Sequence, residues 1–329
     1  MARDKTMKIL YIGEKRTHDQ YIKGNVPSHW LYGAVEMEQD GHEVIWAQEK
    51  STFFNDVRLI FHSKPDIIFI PNLNIHNHIL LLSLASIRMI KQPIYAWLHH
   101  EPRAKNDSDA KIYRQLFKGI KHVFFLSSLT LHNTVEQGII EEKLCSTPGW
   151  GPDKDFYDRI VKTDNGWFVA TGKENRDYDI IIEAFKETGA KLHIFTCRSH
   201  YGNDYTNLEN KCKGISNIKV TLVDNSPENY KAMVTEMASA KALVCPLRQD
   251  KLNYCVGLST IADAEGLNKP LIITTNPYHI ERKKFLWSVT TKDDWMHAIH
   301  DISMKDNKPR KPNFTMQSAY QYIKMIIGL

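Results

Sequence analysis

Short apolar runs alternate with longer amphipathic segments along most of the chain. Runs of about five residues, such as 8–13, 94–98 and 167–171, have the length and apolar continuity of strands that are buried on both faces. Segments of about ten residues with helical spacing of apolar side chains follow these runs. Strands that alternate with helices form parallel sheets with helices on both faces. The pattern therefore predicts an α/β protein of the doubly wound class.

In the first half of the chain, residues 14–27 are polar and are predicted to form a loop. Ser28 is predicted to cap a helix that runs to about Asp40 and is ended by Gly41. The other predicted helices cover residues 78–91, 111–119 and 128–137, and the predicted strands cover residues 8–13, 43–47, 66–71, 94–98 and 121–126.

The alternation is interrupted at Trp150-Gly151-Pro152-Asp153, where glycine and proline are typical of a linker. A chain of 329 residues is long enough for two domains of ordinary size. The prediction is an amino-terminal domain over 1–150, a linker over 151–164, a carboxyl-terminal domain over 165–312 and a last helix within 313–329. In the second domain the predicted strands cover 167–171, 192–196, 218–223, 242–246 and 271–275. The first predicted helix ends at Thr188, and the others cover 228–239, 258–268, 293–302 and 314–327.

Composition narrows the class of protein only slightly. Hydrophobic residues make up 42% of the chain and charged residues 25%, as in an ordinary globular protein. The net charge of +5 favours anionic partners without identifying one. The cations at 305–311 are interpreted as a solvated loop, with a membrane-surface or nucleic-acid role as the alternative. The five cysteines are scattered and no apolar leader is present, so the expected location is the cytoplasm, with possible contact at the inner face of the membrane.

The stretch from Gly257 to Thr275 carries the first candidate site. Gly257, Ser259 and Thr260 open a predicted helix between two apolar strands, which gives a βαβ unit. The N–H groups at the start of such a helix favour a phosphate, and glycine lets a ligand approach the backbone closely. Asp263, about one turn further on, could accept hydrogen bonds from two adjacent sugar hydroxyls. Without other signals, a purely structural βαβ unit explains this stretch equally well.

A second candidate site follows the strand at 167–171. Gly172 and Lys173 begin a loop that continues to Arg176 and to Asp177, which is placed to cap the next helix. Two cations in a loop at the carboxyl end of a strand can neutralise a diphosphate without a metal ion. The alternative is that both are ordinary surface cations.

On these residues the chain resembles the GT-B nucleotide-sugar glycosyltransferases, particularly family four. That family's helix reads Gly-(Ile/Leu)-Ser-Thr-x-x-Glu-Ala-x-x-x-Gly-x-Pro, and its cationic loop reads Gly-Arg-x-x-Arg-Asp-Tyr. The resemblance covers nearly the whole chain, including the linker and an early Pro27-Ser28-His29 run. It implies two Rossmann-like domains that face a cleft, with the last helix crossing back to the first domain. The residues that it implies for donor binding are Gly172, Lys173, Arg176, Gly257, Leu258, Ser259, Thr260 and Asp263.

Four positions of the carboxyl-terminal domain depart from the family pattern. Asp263 is one methylene shorter than the family glutamate, and Asn268 replaces the glycine before Lys-Pro. Lys173 replaces the first arginine of the cationic loop, so it supplies charge without a bidentate fork. Cys255 occupies the position of a second family glutamate, which leaves open which residue faces the transferred sugar.

The resemblance assigns the catalytic roles to His99, Lys173 and Arg176. His99 follows the strand at 94–98 and would contact the sugar, whereas His100 replaces the aspartate that usually comes next. A structural role for this histidine is equally compatible with its position. Glu101 would serve as a general base only if the reaction inverts the anomeric centre. His76 and His78 lack a third ligand at a recognisable spacing, so no metal site is predicted.

The expected function is transfer of a sugar from a UDP- or GDP-sugar donor to an acceptor hydroxyl, with retention and with no required cofactor. A glycan or lipid-linked acceptor in surface polysaccharide or glycoconjugate synthesis is expected from the resemblance. The basic residues Lys111, Arg114, Lys118 and Lys121 are compatible with peripheral membrane contact. The alternatives are a nucleotide-sugar 2-epimerase, a binding subunit without catalysis and, less favoured, a glycosyltransferase acting on nucleic acid.

Overall fold

The computed structural model of the chain describes residues 6–48, 53–200, 202–304 and 313–329, so the cation cluster at 305–311 lies outside the described residues. The described residues form two compact units. Unit 1 holds those of Met1–Gly24, Ser28–Gly151 and Phe314–Leu329, and unit 2 holds those of Asn25–Pro27 and Pro152–Asn313.

Unit 1 is built on a six-stranded sheet in which all neighbouring strands are parallel, in the order β2-β1-β3-β4-β5-β6. The central strands are buried along their whole length because helices cover both faces. The strands are β1 Lys8–Tyr11, β2 Glu43–Trp46, β3 Ile67–Ile70, β4 Ile94–Leu98, β5 Ile120–Phe125 and β6 Cys145–Ser146.

The strands of unit 1 are connected by helices α1 Lys15–Ile22, α2 Ala34–Gln39, α3 Phe53–Ser63, α4 Ile75–Ser86, α5 Asp107–Phe117 and α6 Ser128–Glu136. The chain moves from β2 across the sheet to β3, β4 and β5 in one direction, so right-handed crossovers place α3, α4 and α5 on one face. Helix α4 contacts both α3 and α5. These three helices therefore form one continuous layer.

Unit 2 repeats the architecture with a parallel sheet in the order β11-β8-β7-β12-β13-β14. A short antiparallel hairpin, formed by β9 and β10, follows β8. The strands are β7 Trp167–Thr171, β8 Lys191–Cys197, β9 Ser199–His200, β10 Asn203–Asp204, β11 Ile218–Val223, β12 Ala242–Cys245, β13 Leu271–Thr274 and β14 Leu286–Val289.

The helices of unit 2 are α7 Lys154–Asp158, α8 Tyr178–Thr188, α9 Leu208–Lys211, α10 Tyr230–Ser239, α11 Leu258–Leu267 and α12 Lys292–Met304. Helix α11 is the most enclosed of them: every residue except Ser259 is buried. In the described part of the chain, no helix combines the length and the apolarity that crossing a membrane requires.

The last helix, α13 Met316–Ile327, belongs to unit 1. Thr315 caps it, and Met316, Tyr320 and Ile323 pack beside Gly33, whose φ of +101° favours glycine. Tyr320 donates a 2.7 Å hydrogen bond to Asp40, which also contacts Lys324.

The structure corrects several sequence-based expectations. Residues 14–27 are not a loop, because α1 forms there and the His18 ring stacks on Trp46 with ring centroids 4.1 Å apart. Ser28 begins a 3-10 turn, Ser28–Leu31, rather than a long helix, and the left-handed backbone at Gly33 separates this turn from α2. Helix α7 lies inside the segment predicted to be a linker.

Candidate functional site

Two loops of unit 2 are joined at the carboxyl ends of β7 and β12. Asp177 N–H donates to Pro246 O at 3.1 Å, and Arg248 N–H donates to Asn175 O at 2.9 Å, on either side of a backbone bridge between Arg176 and Leu247. The chain order reverses at β7, because β8 lies on one side of it and β12 on the other. Such a switch point is where open α/β sheets bind ligands.

The buried side chain of Arg176 stabilises this junction through hydrogen bonds. Its buried guanidinium donates from Nε to Thr171 O at 3.1 Å, from Nη1 to Glu174 O at 2.7 Å and from Nη2 to Thr260 Oγ1 at 3.1 Å. Three of its five N–H groups are thereby used by protein acceptors. The side chain thus ties the loop after β7 to the first turn of α11.

Gly172 makes room for that guanidinium. A Cβ at this position would lie 2.1 Å from Arg176 Nη2, and the residue has a φ of +103° that disfavours any side chain. Gly172, which the resemblance implies for donor binding, therefore lies against a side chain of its own unit.

Helix α11 begins immediately after Gly257, which has a φ of +92°. A Cβ on this glycine would be 3.2 Å from Cys245 Sγ and 3.3 Å from a methyl of Leu247. Among the first residues of the helix, Ser259 is exposed whereas Leu258 and Thr260 are buried. The N–H groups of the first turn have no acceptor within the helix, and the helix dipole is positive at this end. This end of α11 can bind an anion at Ser259.

Asp263 is enclosed by two tyrosines. Tyr157 Oη and Tyr230 Oη donate to its Oδ1 at 2.6 and 2.5 Å, and the two hydroxyls are 2.7 Å apart. Burial raises the pKa of Asp263 to about 6, although the tyrosine hydrogen bonds and the charge of Arg176 act in the opposite direction. Its predicted ribose contact stays a prediction, for which Oδ2 retains acceptor capacity.

Lys173 is the exposed cation of the loop. Its Nζ donates to Asn225 Oδ1 at 2.6 Å, and Asn225 Nδ2 donates to His200 Nδ1 at 3.1 Å. Partial desolvation lowers the pKa of Lys173. A cavity of about 760 Å³ lies beside this chain of hydrogen bonds and is lined by both His200 and Asn225.

A second cavity of about 550 Å³ lies on the other side of the β9–β10 hairpin. It shares Gly202, Asn203 and Asp204 with the first cavity, and its lining includes Arg176 and Arg248. Both cavities lie within unit 2, beside the loop after β7. The loop after β7 therefore borders one cavity through Arg176 and is bonded through Lys173 to Asn225, which lines the other.

The position matched to the second family glutamate carries no negative charge. Cys255 is buried, and desolvation raises the pKa of its thiol to about 12, so the side chain is neutral at ordinary pH. The adjacent His279 is also neutral, because burial lowers its pKa to about 4. A buried ion pair between Arg282 Nη1 and Glu265 Oε2, 2.6 Å apart, lies further along this side of α11.

His99 lies in unit 1, directly after β4. Its Nε2 donates to Pro71 O at 3.0 Å, and its ring lies against Tyr32 with centroids 5.0 Å apart. Desolvation lowers the pKa of His99 to about 4, so the imidazole is neutral. The tautomer that donates from Nε2 leaves Nδ1 as an acceptor, able to receive a hydrogen bond from a hydroxyl.

Among the predicted residues, the structure joins Gly172, Arg176 and Thr260 directly, and the charge of Arg176 reaches Asp263. Sequence reasoning did not find Tyr157, Tyr230 or Asn225. Among the described residues, no three His, Cys, Asp or Glu side chains are grouped closely enough to hold a metal ion.

Two Rossmann-like α/β units, each on a six-stranded parallel sheet, give the chain the GT-B fold, which confirms the predicted fold class. No family model matches the sequence, and no curated protein matches it either.

Solved structures resemble the chain at low sequence identity. UDP-GlcNAc 2-epimerase from Neisseria meningitidis, bound to UDP-GlcNAc, has a TM-score of 0.55 and 10% identity over 98% of this chain and 99% of that chain. AviGT4, a glycosyltransferase involved in avilamycin A biosynthesis, has a TM-score of 0.56 and 11% identity, over 98% of this chain and 99% of that chain. An α,α-trehalose-phosphate synthase (UDP-forming) from Burkholderia vietnamiensis has a TM-score of 0.58 and 10% identity, over 96% of this chain and 85% of that chain. These likenesses establish a fold that glycosyltransferases and epimerases share.

Proposed function

We propose that the protein is a glycosyltransferase that moves a sugar from a nucleoside diphosphate sugar to an acceptor hydroxyl. The observation that carries the proposal is the junction in unit 2, where Arg176 Nη2 joins the loop after β7 to Thr260 at the start of α11, and Lys173 of the same loop bonds to Asn225 at the edge of a cavity. A diphosphate fits this combination because it needs both positive charge and N–H donors.

Each residue of the junction has a proposed role. Lys173 and the first-turn N–H groups of Ser259 and Thr260 stabilise negative charge on the leaving diphosphate, where the transition state needs it most. Arg176 positions the loop and offers its remaining N–H groups to the same charge. Asp263 Oδ2 accepts from the ribose, and His99 Nδ1 accepts from a substrate hydroxyl.

In the proposed reaction, the bond from the anomeric carbon to the diphosphate oxygen breaks and a bond from the acceptor oxygen forms on the same face. The acceptor's proton passes to the leaving diphosphate. Retention follows from the family resemblance, and Cys255, a neutral thiol at the matched glutamate position, departs from that resemblance. Helix dipole and lysine supply the charge stabilisation without a required metal ion.

The first experiment is a thermal-shift screen of the whole chain against UDP- and GDP-sugars, followed by measurement of acceptor-dependent release of nucleoside diphosphate. Lys173→Ala should weaken donor binding about tenfold, since it removes a charge-assisted contact. Lys173→Arg should restore binding. Lys186→Ala, which removes another exposed lysine of unit 2, is the control and should leave binding unchanged. Equal donor affinity of the Lys173→Ala and Lys186→Ala variants would contradict the proposed diphosphate site.

A nucleotide-sugar 2-epimerase is the second candidate, favoured by the likeness to the Neisseria meningitidis enzyme over nearly the full length of both chains. Incubation with donor alone discriminates the two, because an epimerase forms the epimer without acceptor. A binding subunit without catalysis would show donor affinity but neither product.

For the transferase, His99→Ala should lower turnover while donor affinity, carried by unit 2, is retained.

We further propose a glycan or lipid-linked acceptor and a cytoplasmic location, in surface polysaccharide or glycoconjugate synthesis. The five cysteines support a reducing compartment, because all of them are unpaired in the structure. Release of nucleoside diphosphate on addition of a nucleic acid, but not of glycan acceptors, would favour the nucleic-acid alternative.

A further inference from the structure

The sheet of unit 1 has a switch point of its own, at β1. The chain order reverses there, because β2 lies on one side of β1 and β3 on the other. The loops after β1 and β3 are adjacent, since a Cβ on Gly13 would lie 3.9 Å from Pro71 Cγ. Open α/β sheets bind ligands beyond the carboxyl ends of the strands at such a point. Unit 1 therefore has a candidate ligand site built from other residues than the junction in unit 2.

Two partly exposed rings, Tyr32 and His99, lie at this switch point. His99 follows β4 and donates to Pro71 O, directly after β3, and the centroids of the His99 and Tyr32 rings are 5.0 Å apart. Tyr11, the last residue of β1, donates to Leu31 O at 2.6 Å, which fixes the residue before Tyr32 at the end of that strand. The two rings thus form an aromatic platform over the ends of β1, β3 and β4.

Two buried tryptophans support the Tyr32 ring. The ring centroids of Trp97 and Trp150 lie 5.6 and 6.1 Å from that of Tyr32, and the two indoles are 0% and 5% exposed. Trp150 Nε1 also donates to His29 O at 2.8 Å, inside the turn that precedes Tyr32. The ring is therefore held in place before a ligand binds, which lowers the entropy that binding costs.

The backbone of Tyr32 has a conformation that a bulky residue rarely adopts. Its φ of +47° is in the left-handed region, which suits glycine or asparagine. Such strain persists only where the surrounding structure enforces it, and it clusters at ligand-binding sites. A tyrosine at a position that suits a smaller residue indicates that the ring itself has a use.

The charges near this platform favour a neutral ligand. The carboxylates of Glu14 and Glu36 raise the pKa of Tyr11, after the larger effect of burial. Glu36 also accepts from Ser28 Oγ at 3.0 Å, at the start of the turn that leads to Tyr32. A phosphate at the end of β1 would meet repulsion from these carboxylates. A sugar hydroxyl would not, and the neutral imidazole of His99 offers it an acceptor.

We propose that Tyr32 and His99 bind a neutral sugar ring at the end of the glycan acceptor. One face of a pyranose presents C–H groups that pack on an aromatic ring, and its hydroxyls can donate to His99 Nδ1. The ligand of this site is thereby a sugar rather than a lipid phosphate or a nucleotide. The inference rests on the proposed function for the role of acceptor, whereas sugar binding at Tyr32 needs no donor.

The test is saturation-transfer NMR of the full chain, without donor, against the methyl glycosides of glucose, galactose, mannose and N-acetylglucosamine. Wild type should transfer saturation to the C–H protons of at least one of them. Tyr32→Asn removes the ring but tolerates the left-handed backbone, and it should weaken that binding about tenfold. Tyr32→Phe keeps the ring and should bind within about twofold of wild type.

Matched variants separate the platform from a general loss of aromatic surface. Tyr322→Asn removes a tyrosine of α13 that is 38% exposed, and it should bind like wild type. Tyr32→Gly, which fits the positive φ without strain, is a second ring deletion with the same expected loss as Tyr32→Asn. Circular dichroism melting checks that each variant is folded. For a glycoside that accepts the sugar, Tyr32→Asn should raise its KM about tenfold and leave the KM of the donor unchanged.

Several outcomes would overturn the proposal. These are absence of glycoside binding by wild type, equal binding by wild type and the two ring deletions, or ring deletions that weaken UDP-sugar binding alone. Tyr32-dependent binding of UMP in place of the glycosides would assign the ring to a nucleotide. Tyr32-dependent glycoside binding by a chain that transfers no sugar would support the sugar site and contradict the proposed function instead.

Discussion

Asp263 is a buried acid whose hydrogen-bond donors come from its own chain. Tyr157 and Tyr230 both donate to Oδ1, so the carboxylate is held in place even before any ligand is considered. Burial nevertheless disfavours the charged form, which is why its pKa rises to about 6. The residue therefore combines a proposed role in ribose binding with a defined effect on stability.

The contribution of Asp263 to the free energy of unfolding depends on pH. An acid whose pKa is about 6 when folded and about 3.9 when unfolded binds its proton more tightly in the folded state. Its contribution to stability is complete below about pH 4 and is lost as the pH rises through about 6. The free energy of unfolding of wild type minus that of Asp263→Asn should fall by up to about 3 kcal/mol between pH 4 and pH 7.

Urea denaturation at several pH values measures this difference, and other titrating groups cancel between the two proteins. Asp250→Asn, which alters an exposed acid, is the control and should show no comparable trend. A difference that stays constant between pH 4 and pH 7 would show that Asp263 does not have the raised pKa.

At the residue scale, the sequence predicts the glycines, cations and acid of the junction but not their immediate neighbours. Motif spacing identifies Asp263, because the pattern around it is local. Tyr157 is 106 residues away and Tyr230 is 33 residues away, and no local pattern connects them to the acid. Likewise, the sequence cannot tell that Arg176 turns inward while Lys173 stays exposed, since both are cations of the same loop.

At the element scale, the loop after β7 depends on Gly172 for two separate reasons, its positive φ and its contact with Arg176. Gly172→Ala should lower the free energy of unfolding by more than the roughly 1–2 kcal/mol that a left-handed backbone alone costs. It should also weaken nucleotide-sugar binding, because the displaced guanidinium would no longer hold the loop on α11.

Gly166→Ala provides the matched control for that comparison. Gly166 also has a positive φ, +76°, but an added Cβ would meet no atom within 4 Å. Chemical denaturation of both variants, together with donor titration, separates the backbone cost from the collision with Arg176. Equal losses in the two variants would show that the close approach at Gly172 is unimportant.

The strands were predictable because most are continuous apolar runs, buried on both faces of a parallel sheet. The predicted strand at 94–98 coincides with β4, and those at 167–171 and 218–223 coincide with β7 and β11. Helix α1 was missed because tertiary contacts fix it: its only buried residue is Gln20, so the sequence shows no apolar face. Two-residue strands such as β6 are too short to give a periodic signal.

At the scale of the whole molecule, the chain leaves unit 1 after Gly151 and returns to it at Phe314. These two points are adjacent, because a Cβ on Gly151 would lie 2.5 Å from the backbone carbonyl of Phe314. Apart from Asn25–Pro27, unit 2 is thus inserted into unit 1 between neighbouring positions. Helix α13 then completes unit 1, where Met316, Tyr320 and Ile323 are almost fully buried.

This topology predicts that the two units can be separated with only Asn25–Pro27 of unit 2 left behind on unit 1, since termini that lie close together tolerate excision. Joining Gly151 to Phe314 through a short glycine-serine linker should give a cooperatively folded unit 1. Residues 1–151 alone should be less stable by on the order of 5 kcal/mol, because the buried side chains of α13 are lost.

Excised residues 152–313 should fold and bind the nucleotide sugar with nearly the affinity of the full chain, since the proposed diphosphate and ribose contacts lie within unit 2. Denaturation of the fragments and donor titration by calorimetry provide the measurements. A folded unit 2 fragment with no donor affinity, alongside a full chain that binds, would show that the nucleotide site requires residues of unit 1.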